Sequence, residues 1–236
     1  MTLLNIETSA KICSVAVTAG EKILFEKVSE EAMTHAKMTG VFVEEALKFA
    51  HEQHKTIDAV AVSAGPGSYT GLRIGVSTAK GVCFGLNIPL LAIPTLFIYA
   101  AKAAKVAKVD KTTTQVDFYC PMLDARRMEV YAAVFDTNLN EVKETHAEIL
   151  TEESYKEYSV KGRVAFFGNG ADKASTVIKH ENTLFLQGVE ITAADMATPA
   201  AEAFAAQRFE NTAYFEPFYL KEFIATTPKN KVFCVN

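Results

Sequence analysis

The sequence predicts an α/β fold in two subdomains, each built from the same β-β-β-α-β-α unit. Three features predict it. The first half opens on three short β-rich runs and then alternates helical and strand patterns. The second half partly repeats that order. The composition, 49% hydrophobic and 22% charged over 236 residues, is ordinary for a globular chain and long enough for one large domain or two small ones.

The opening strands are LLNIE (Leu3–Glu7), CSVAVT (Cys13–Thr18) and KILFEKVS (Lys22–Ser29), with Gly20 suited to the hairpin between the last two. A helix is expected over Thr34–Ala50, with Thr34 as N-cap. Its apolar residues Met38, Phe42, Val43, Ala46, Leu47, Phe49 and Ala50 cover roughly half the circumference at ~100° per residue. That arc is wide for a helix covering a sheet on one side, and it predicts a second packing partner. DAVAVSAG (Asp58–Gly65) reads as a buried parallel strand. A helix over Tyr69–Leu86, a strand over Asn87–Pro94 and a helix over Thr95–Val109 complete the first unit.

In the second half, Val116–Asp124, Glu129–Phe135 and Leu139–Ile149 read as strands, and AFFGNGA (Ala165–Ala171) as a strand running into a turn. Helices are expected over Ala171–Lys179 and Ala193–Gln207. The polar stretch 106–114 divides an N-terminal subdomain, 1–108, from a C-terminal one, 109–236. The tail after about residue 215 is expected to return to the first.

A formal net charge of −4 excludes a global basic field for nucleic acid. Lys102, Lys105, Lys108 and Lys111 form a local exception, either a solvated helix face or a tRNA-facing patch. The cysteines Cys13, Cys83, Cys120 and Cys234 are widely spaced with no C-x-x-C, which argues for buried reduced thiols rather than zinc or disulfides. The N-terminus has no signal-peptide pattern, and no run is long and apolar enough to span a bilayer, so a cytoplasmic location is expected.

The segment SAGPGSYTGLRIGVSTAKG (Ser63–Gly81) holds the densest motif. It is not a P-loop, because Leu72 and Arg73 follow Gly71 where Lys and Ser/Thr are required. It is not a dinucleotide fingerprint either, because Thr70 stands where the third glycine belongs. The loop still enters a helix N-terminus, which favours an anion without specifying one. Within the helix, Gly71, Gly75 and Ala79 fall four apart, with Cys83 continuing the stripe. Each helical glycine costs about 1 kcal/mol relative to alanine. A small-residue stripe lets another backbone come close, either the protein's own sheet or first helix, or a second chain.

Other candidate chemistry is sparse. Glu7, Thr8 and Ser9 end the first strand; an acid followed by two hydroxyls can face a phosphate and its metal, and turn chemistry explains it equally well. His51 and His54 are an i, i+3 pair at a helix end with no third ligand apparent, so no metal site is expected. In LDARRMEVY, Asp124 beside Arg126 and Arg127 forms either an ion pair across a cleft or a hairpin turn with solvated charges.

Taken together, SAGPGSYTGLRIGVSTAKG, LLNIETSA, MLDARRMEVYAAVF, FFGNGADK and FEPFYLKEFIA resemble, in order and spacing, the bacterial TsaB (YeaZ) family across essentially the whole chain. The resemblance implies the actin-like ATPase (ribonuclease H-like) fold. It implies a non-catalytic subunit that binds and activates TsaD, the transferase that makes threonylcarbamoyl-adenosine on tRNAs reading codons that start with A. TsaE, a small ATPase, joins the complex, and tRNA is an indirect partner. TsaD-type proteins carry a His-x-x-x-His metal pair after the fifth strand; IPLLAIPTLFIYAAKAAK here has no histidine. The resemblance further implies a vestigial nucleotide cleft at Glu7, Thr8, Ser9, Gly168 and Gly170, with no cofactor of the chain's own and ATP or ADP at the complex interface. Glu7 departs from the family's usual aspartate. The TsaD-docking face falls on the first two helices, at His35, Met38, Phe42, Phe49, Thr70, Gly71, Ile74, Gly75, Thr78, Ala79 and Val82. The same face is expected to pair two copies when TsaD is absent. The rival readings are an independent ATP-binding enzyme, an ATPase or kinase of this fold, and a glycoprotease-like metallopeptidase.

Overall fold

A computed structural model describes residues 1–31, 35–109 and 115–220. The expected cap Thr34, most of the polar boundary, and Lys111 and Cys234 lie outside the described residues. The chain runs β1 (Thr2–Glu7), β2 (Cys13–Ala19), β3 (Lys22–Ser29), α1 (His35–Glu52), β4 (Ala59–Gly65), α2 (Tyr69–Leu86), β5 (Leu90–Pro94) and α3 (Thr95–Val109). It continues through β6 (Phe118–Asp124), β7 (Glu129–Asp136), β8 (Glu141–Ile149), α4 (Lys156–Ser159), β9 (Val164–Phe167), α5 (Ala171–Val177) and β10 (Thr183–Phe185). A 3-10 turn over Ala193–Met196 leads into α6 (Ala197–Ala205).

The strands form two five-stranded sheets, ordered β3-β2-β1-β4-β5 and β10-β9-β6-β7-β8. In each, the first three strands are an antiparallel meander and the fourth pairs in parallel beside the first. The fifth then pairs in parallel beside the fourth. This is the duplicated actin-like arrangement. β1 and β4 are buried along their whole length, which is why both read as continuous apolar runs, whereas edge strand β3 is largely half-exposed or exposed.

α1 and α2 cover one face of the first sheet. Phe42, Val43 and Ala46 of α1 and Val76, Ala79 and Cys83 of α2 pack with Leu4, Ile6, Val15, Val17, Val60 and Val62. The wide apolar arc of α1 is therefore met within the chain, by β2, β3 and α2, and the Phe49 ring lies 5.2 Å from Phe25 of β3. The opposite face of the first sheet shares one core with the second sheet. Leu3, Ala61 and Ile93 meet Leu96 and Tyr99 of α3, Met196 and Ala200, and Leu123, Phe135 and Phe167 beyond.

The return to the first sheet begins well before residue 215. Ala193 N donates to Ser14 Oγ at 2.8 Å and Ala194 N to Glu26 Oε1 at 3.3 Å. α6 presents Ala197, Ala200 and Ala203, buried and short enough to lie close against its neighbours. Lys102 is neither solvated nor aimed at nucleic acid; its Nζ donates to Glu190 O at 2.5 Å and Asp195 Oδ2 at 2.9 Å. α4 and β10, of four and three residues, are too short to leave a period in the sequence.

Candidate functional site: the α1–α2 face

The glycine segment is built for close packing. β4 ends at Gly65, and Ser68 caps α2 by accepting from Gly71 N at 3.2 Å. Ser68 N donates to Ser9 O at 2.7 Å. A Cβ added at Gly67 would fall 2.4 Å from Ser9 O, at Gly71 2.0 Å from Thr8 O, and at Gly75 2.2 Å from Thr8 Oγ1. The glycines let α2 lie directly on the C-terminal end of β1. The stripe Gly71, Gly75, Ala79 and Cys83 thus faces the protein's own sheet and is buried. These residues are not available to a partner, which corrects the expected docking assignment of Gly71, Gly75 and Ala79. Phe42, 6% exposed in the core beneath α1, is likewise unavailable.

The same packing closes the expected nucleotide cleft. Glu7 and Thr8 are fully buried and Ser9 is 2% exposed. Glu7 Oε1 accepts from Ser9 N at 2.6 Å and Ser9 Oγ at 2.5 Å. Among the described residues, Glu7 Oε2 and Thr8 Oγ1 have no hydrogen-bond partner. Burial pushes the Glu7 carboxyl up to about 7, against the pull of its Ser9 bonds. In the second sheet, Gly168 (φ +90°) would place a Cβ 2.5 Å from Met122 O, and Gly170 would place one 3.0 Å from Leu123 C and Val130 Cγ1. These two glycines seat the β9–α5 turn on β6, as Gly67 and Gly71 seat the β4–α2 loop on β1. Glu7, Thr8 and Ser9 are buried beneath the β4–α2 loop, whereas Gly168 is half-buried and Asn169 exposed at the β9–α5 turn.

Asp124 and Arg126 are not an ion pair across a cleft. Asp124 Oδ1 accepts from Arg126 N at 2.7 Å and from Lys173 Nζ at 2.6 Å. Lys173 also donates to Arg127 O at 2.9 Å and to Glu129 O. Lys173, arriving from α5, ties down the β6–β7 turn, in which Arg126 and Arg127 adopt φ of 71° and 51° with exposed side chains. Among the described residues no group of three or more His, Cys, Asp or Glu is placed to hold a metal.

What α1 and α2 leave outside differs from the sequence-based set. Thr70 is exposed; Ile74, Thr78, Met38, Phe49 and Val82 are half-buried; His35 Nε2 lies 3.1 Å from Ala10 O. The exposed arc also holds Gly40, Val41, Gly81, Phe84, Gly85 and Leu86, with Phe84 88% exposed. A Cβ at Gly40, Gly81 or Gly85 would meet nothing within 4 Å. Lys37, Glu44 and Lys48 are also exposed on α1. The sequence did carry a signal for Gly81 and Gly85. They fall on the polar arc of α2 with Thr70 and Ser77, where a helical glycine has no packing reason of its own.

Two repeated sheets of the same strand order, with a helix pair over one face of the first, define an actin-like-fold protein. The family model for TsaD, tRNA N6-adenosine threonylcarbamoyltransferase, matches residues 23–229. The tRNA threonylcarbamoyladenosine biosynthesis protein TsaB of Escherichia coli is 28% identical over 234 residues, 95% of this chain and 96% of that one. TsaB of Haemophilus influenzae is 33% identical over 132 residues, 56% of this chain and about half (52%) of that protein. The solved structure of YeaZ from Pseudomonas aeruginosa superposes with a TM-score of 0.77 at 22% identity, covering 93% of this chain and 99% of that one. The chain belongs to the family that the matching model describes, and within it to the TsaB (YeaZ) proteins.

Proposed function

We propose that the chain is a non-catalytic activating subunit of the TsaD transferase, acting in threonylcarbamoyl-adenosine formation on tRNAs that read codons starting with A. The observation that carries this reading is the trio Gly40, Gly81 and Gly85. Each stands inside a helix, and none has a neighbour that a side chain would strike. Three helical glycines without an internal contact, beside exposed Val41, Phe84 and Leu86, suit close helix-on-helix approach from outside. The same face pairs two copies when TsaD is absent. The five histidines include no His-x-x-x-His spacing, which supports leaving the transfer chemistry to TsaD. TsaE joins the assembly, and ATP or ADP is held at the complex interface rather than over Glu7.

Reconstitution tests the role. Threonylcarbamoyl-adenosine is quantified with TsaD, TsaE, the adenylate-forming enzyme and unmodified tRNA, with and without this chain. Strong dependence on the chain is expected, with no product when TsaD is omitted; full modification without the chain would overturn the role. Docking is tested by Gly81→Leu and Gly85→Leu. Each should melt no lower than the parent, since leucine is the better helix former by about 0.8 kcal/mol. Each should weaken TsaD binding about thirtyfold, near 2 kcal/mol. Unchanged affinity in these stable variants would move the docking face elsewhere.

A further inference from the structure

A groove of about 380 Å³ lies beside α2, at the edge of the face described above. Tyr69, Arg73, Val76, Ser77 and Lys80 line one wall, and Phe215, Glu216, Pro217 and Tyr219 of the segment after α6 line the other. The segment is pinned at three points. Lys80 Nζ donates to Ala213 O at 3.0 Å and Phe215 O at 3.1 Å. Phe218 N donates to Ala64 O at 2.7 Å. The Tyr219 ring lies 5.0 Å from that of Tyr69. The groove is therefore fixed by the fold, and its volume falls within the range of small-ligand sites.

Its chemistry is specific. Arg73 is exposed, 5.4 Å above the Tyr69 ring, with Nη1 donating to Tyr69 Oη at 2.8 Å. No carboxylate among the described residues is within ion-pair distance of it. A guanidinium has five donors, so most of its hydrogen-bonding capacity is available to an anion. Ser77 adds a hydroxyl one turn away on the same wall. Tyr214, 83% exposed, and Phe218, 49% exposed, come from the segment that forms the other wall. Exposed aromatic rings that flank a cationic groove suit unpaired bases, because every base offers a π-face. The Glu216 carboxylate can accept from a ribose hydroxyl or an exocyclic amine, and it repels a second and third phosphate. A singly charged phosphodiester unit fits this balance better than a triphosphate does.

We infer that the groove between α2 and residues 213–219 binds an unpaired nucleotide of RNA, its phosphate on Arg73 and neighbouring bases on Tyr214 and Phe218. The choice of RNA rests on the tRNA-modifying role proposed above. The isolated full-length chain is used for the test, so failure here leaves TsaD-dependent activation standing. A fluorescein-labelled single-stranded oligoribonucleotide is titrated by anisotropy at low and physiological salt, with AMP and ATP as competitors. Saturable binding is expected, weakened about tenfold by Arg73→Gln and by Tyr214→Ala, and unchanged by Lys179→Gln on the other lobe. AMP and ATP should compete poorly. Both affected side chains are exposed, and a melting curve verifies that each variant is folded. Parent-like affinity in both groove variants overturns the site, as does absence of oligonucleotide binding. Binding of AMP or ATP in place of the oligonucleotide overturns the RNA assignment in favour of a free nucleotide.

Discussion

Gly71→Ala is expected to cost about 3 kcal/mol or more of stability, and Gly75→Leu to prevent folding, although both residues sit on a helix that an unrelated surface substitution would barely disturb. A methyl at Gly71 would stand 2.0 Å from the Thr8 carbonyl oxygen, and one at Gly75 2.2 Å from Thr8 Oγ1. The Thr8 carbonyl is backbone and cannot yield, and a leucine at Gly75 would meet Thr8 Cβ and Val62 Cγ2 even with the Thr8 hydroxyl turned aside. Thr8 directly follows β1, which is hydrogen-bonded on both sides, to β2 and to β4. Ser9 is held to Glu7 and to Ser68 N. α2 would have to lift from the sheet and expose Val76, Ala79 and Cys83, which are now buried. Urea unfolding gives the measurement, with Gly85→Leu as the control that adds the same bulk on the open side. A Gly71→Ala midpoint equal to the parent's would show that α2 can ride outward, and the packing account of the glycine segment would fail.

This contrast explains what the sequence could and could not say. Glycines spaced by four on α2 state that a backbone comes close. They do not state whose, because a sheet beneath and a partner above demand the same missing Cβ. Leu72 and Val76 share the arc of Gly71, Gly75 and Ala79, and that shared arc is the sheet side. The β2–β3 hairpin and the parallel strand β4 were legible, the first from Gly20 between two β-rich runs and the second from a continuous apolar run that burial on both faces demands. The wide arc on α1 was legible as a count but not as an assignment. Two internal partners, the sheet and α2, produce the same arc as one sheet and one foreign chain. Contacts bridging distant segments left no trace: Lys173 reaching Asp124 across 49 residues, and Ser14 accepting from Ala193 N across 179. The paired role of Gly67 with Gly71 and of Gly168 with Gly170 also emerges only when the two sheets stand side by side.

Glu7→Gln is expected to raise stability by only about 1 kcal/mol at pH 5 and by about 3 kcal/mol at pH 9. The carboxyl is fully buried, its Oε2 lacks a partner among the described residues, and burial lifts it from 4.5 to about 7. A folded-state value above the unfolded one means that the folded protein holds the proton more tightly. Its contribution is fully present below about 4.5 and is lost as pH rises through 7, where the folded chain must bury a charge that the unfolded chain leaves in water. Glutamine keeps an acceptor for Ser9 N and Ser9 Oγ and carries no charge at any pH, so it removes the penalty and retains the bonds. Asp195, Tyr99 and Cys13 also lie within electrostatic reach of Glu7. They are present in both proteins, so most of their own titration cancels in the difference. Denaturant unfolding of parent and variant from pH 5 to 9 reads that difference. A gap that widens with pH and levels off above 7 supports a buried, proton-holding Glu7. A gap independent of pH would mean that the carboxylate is solvated, and that the end of β1 is open in solution rather than closed by the glycine loop.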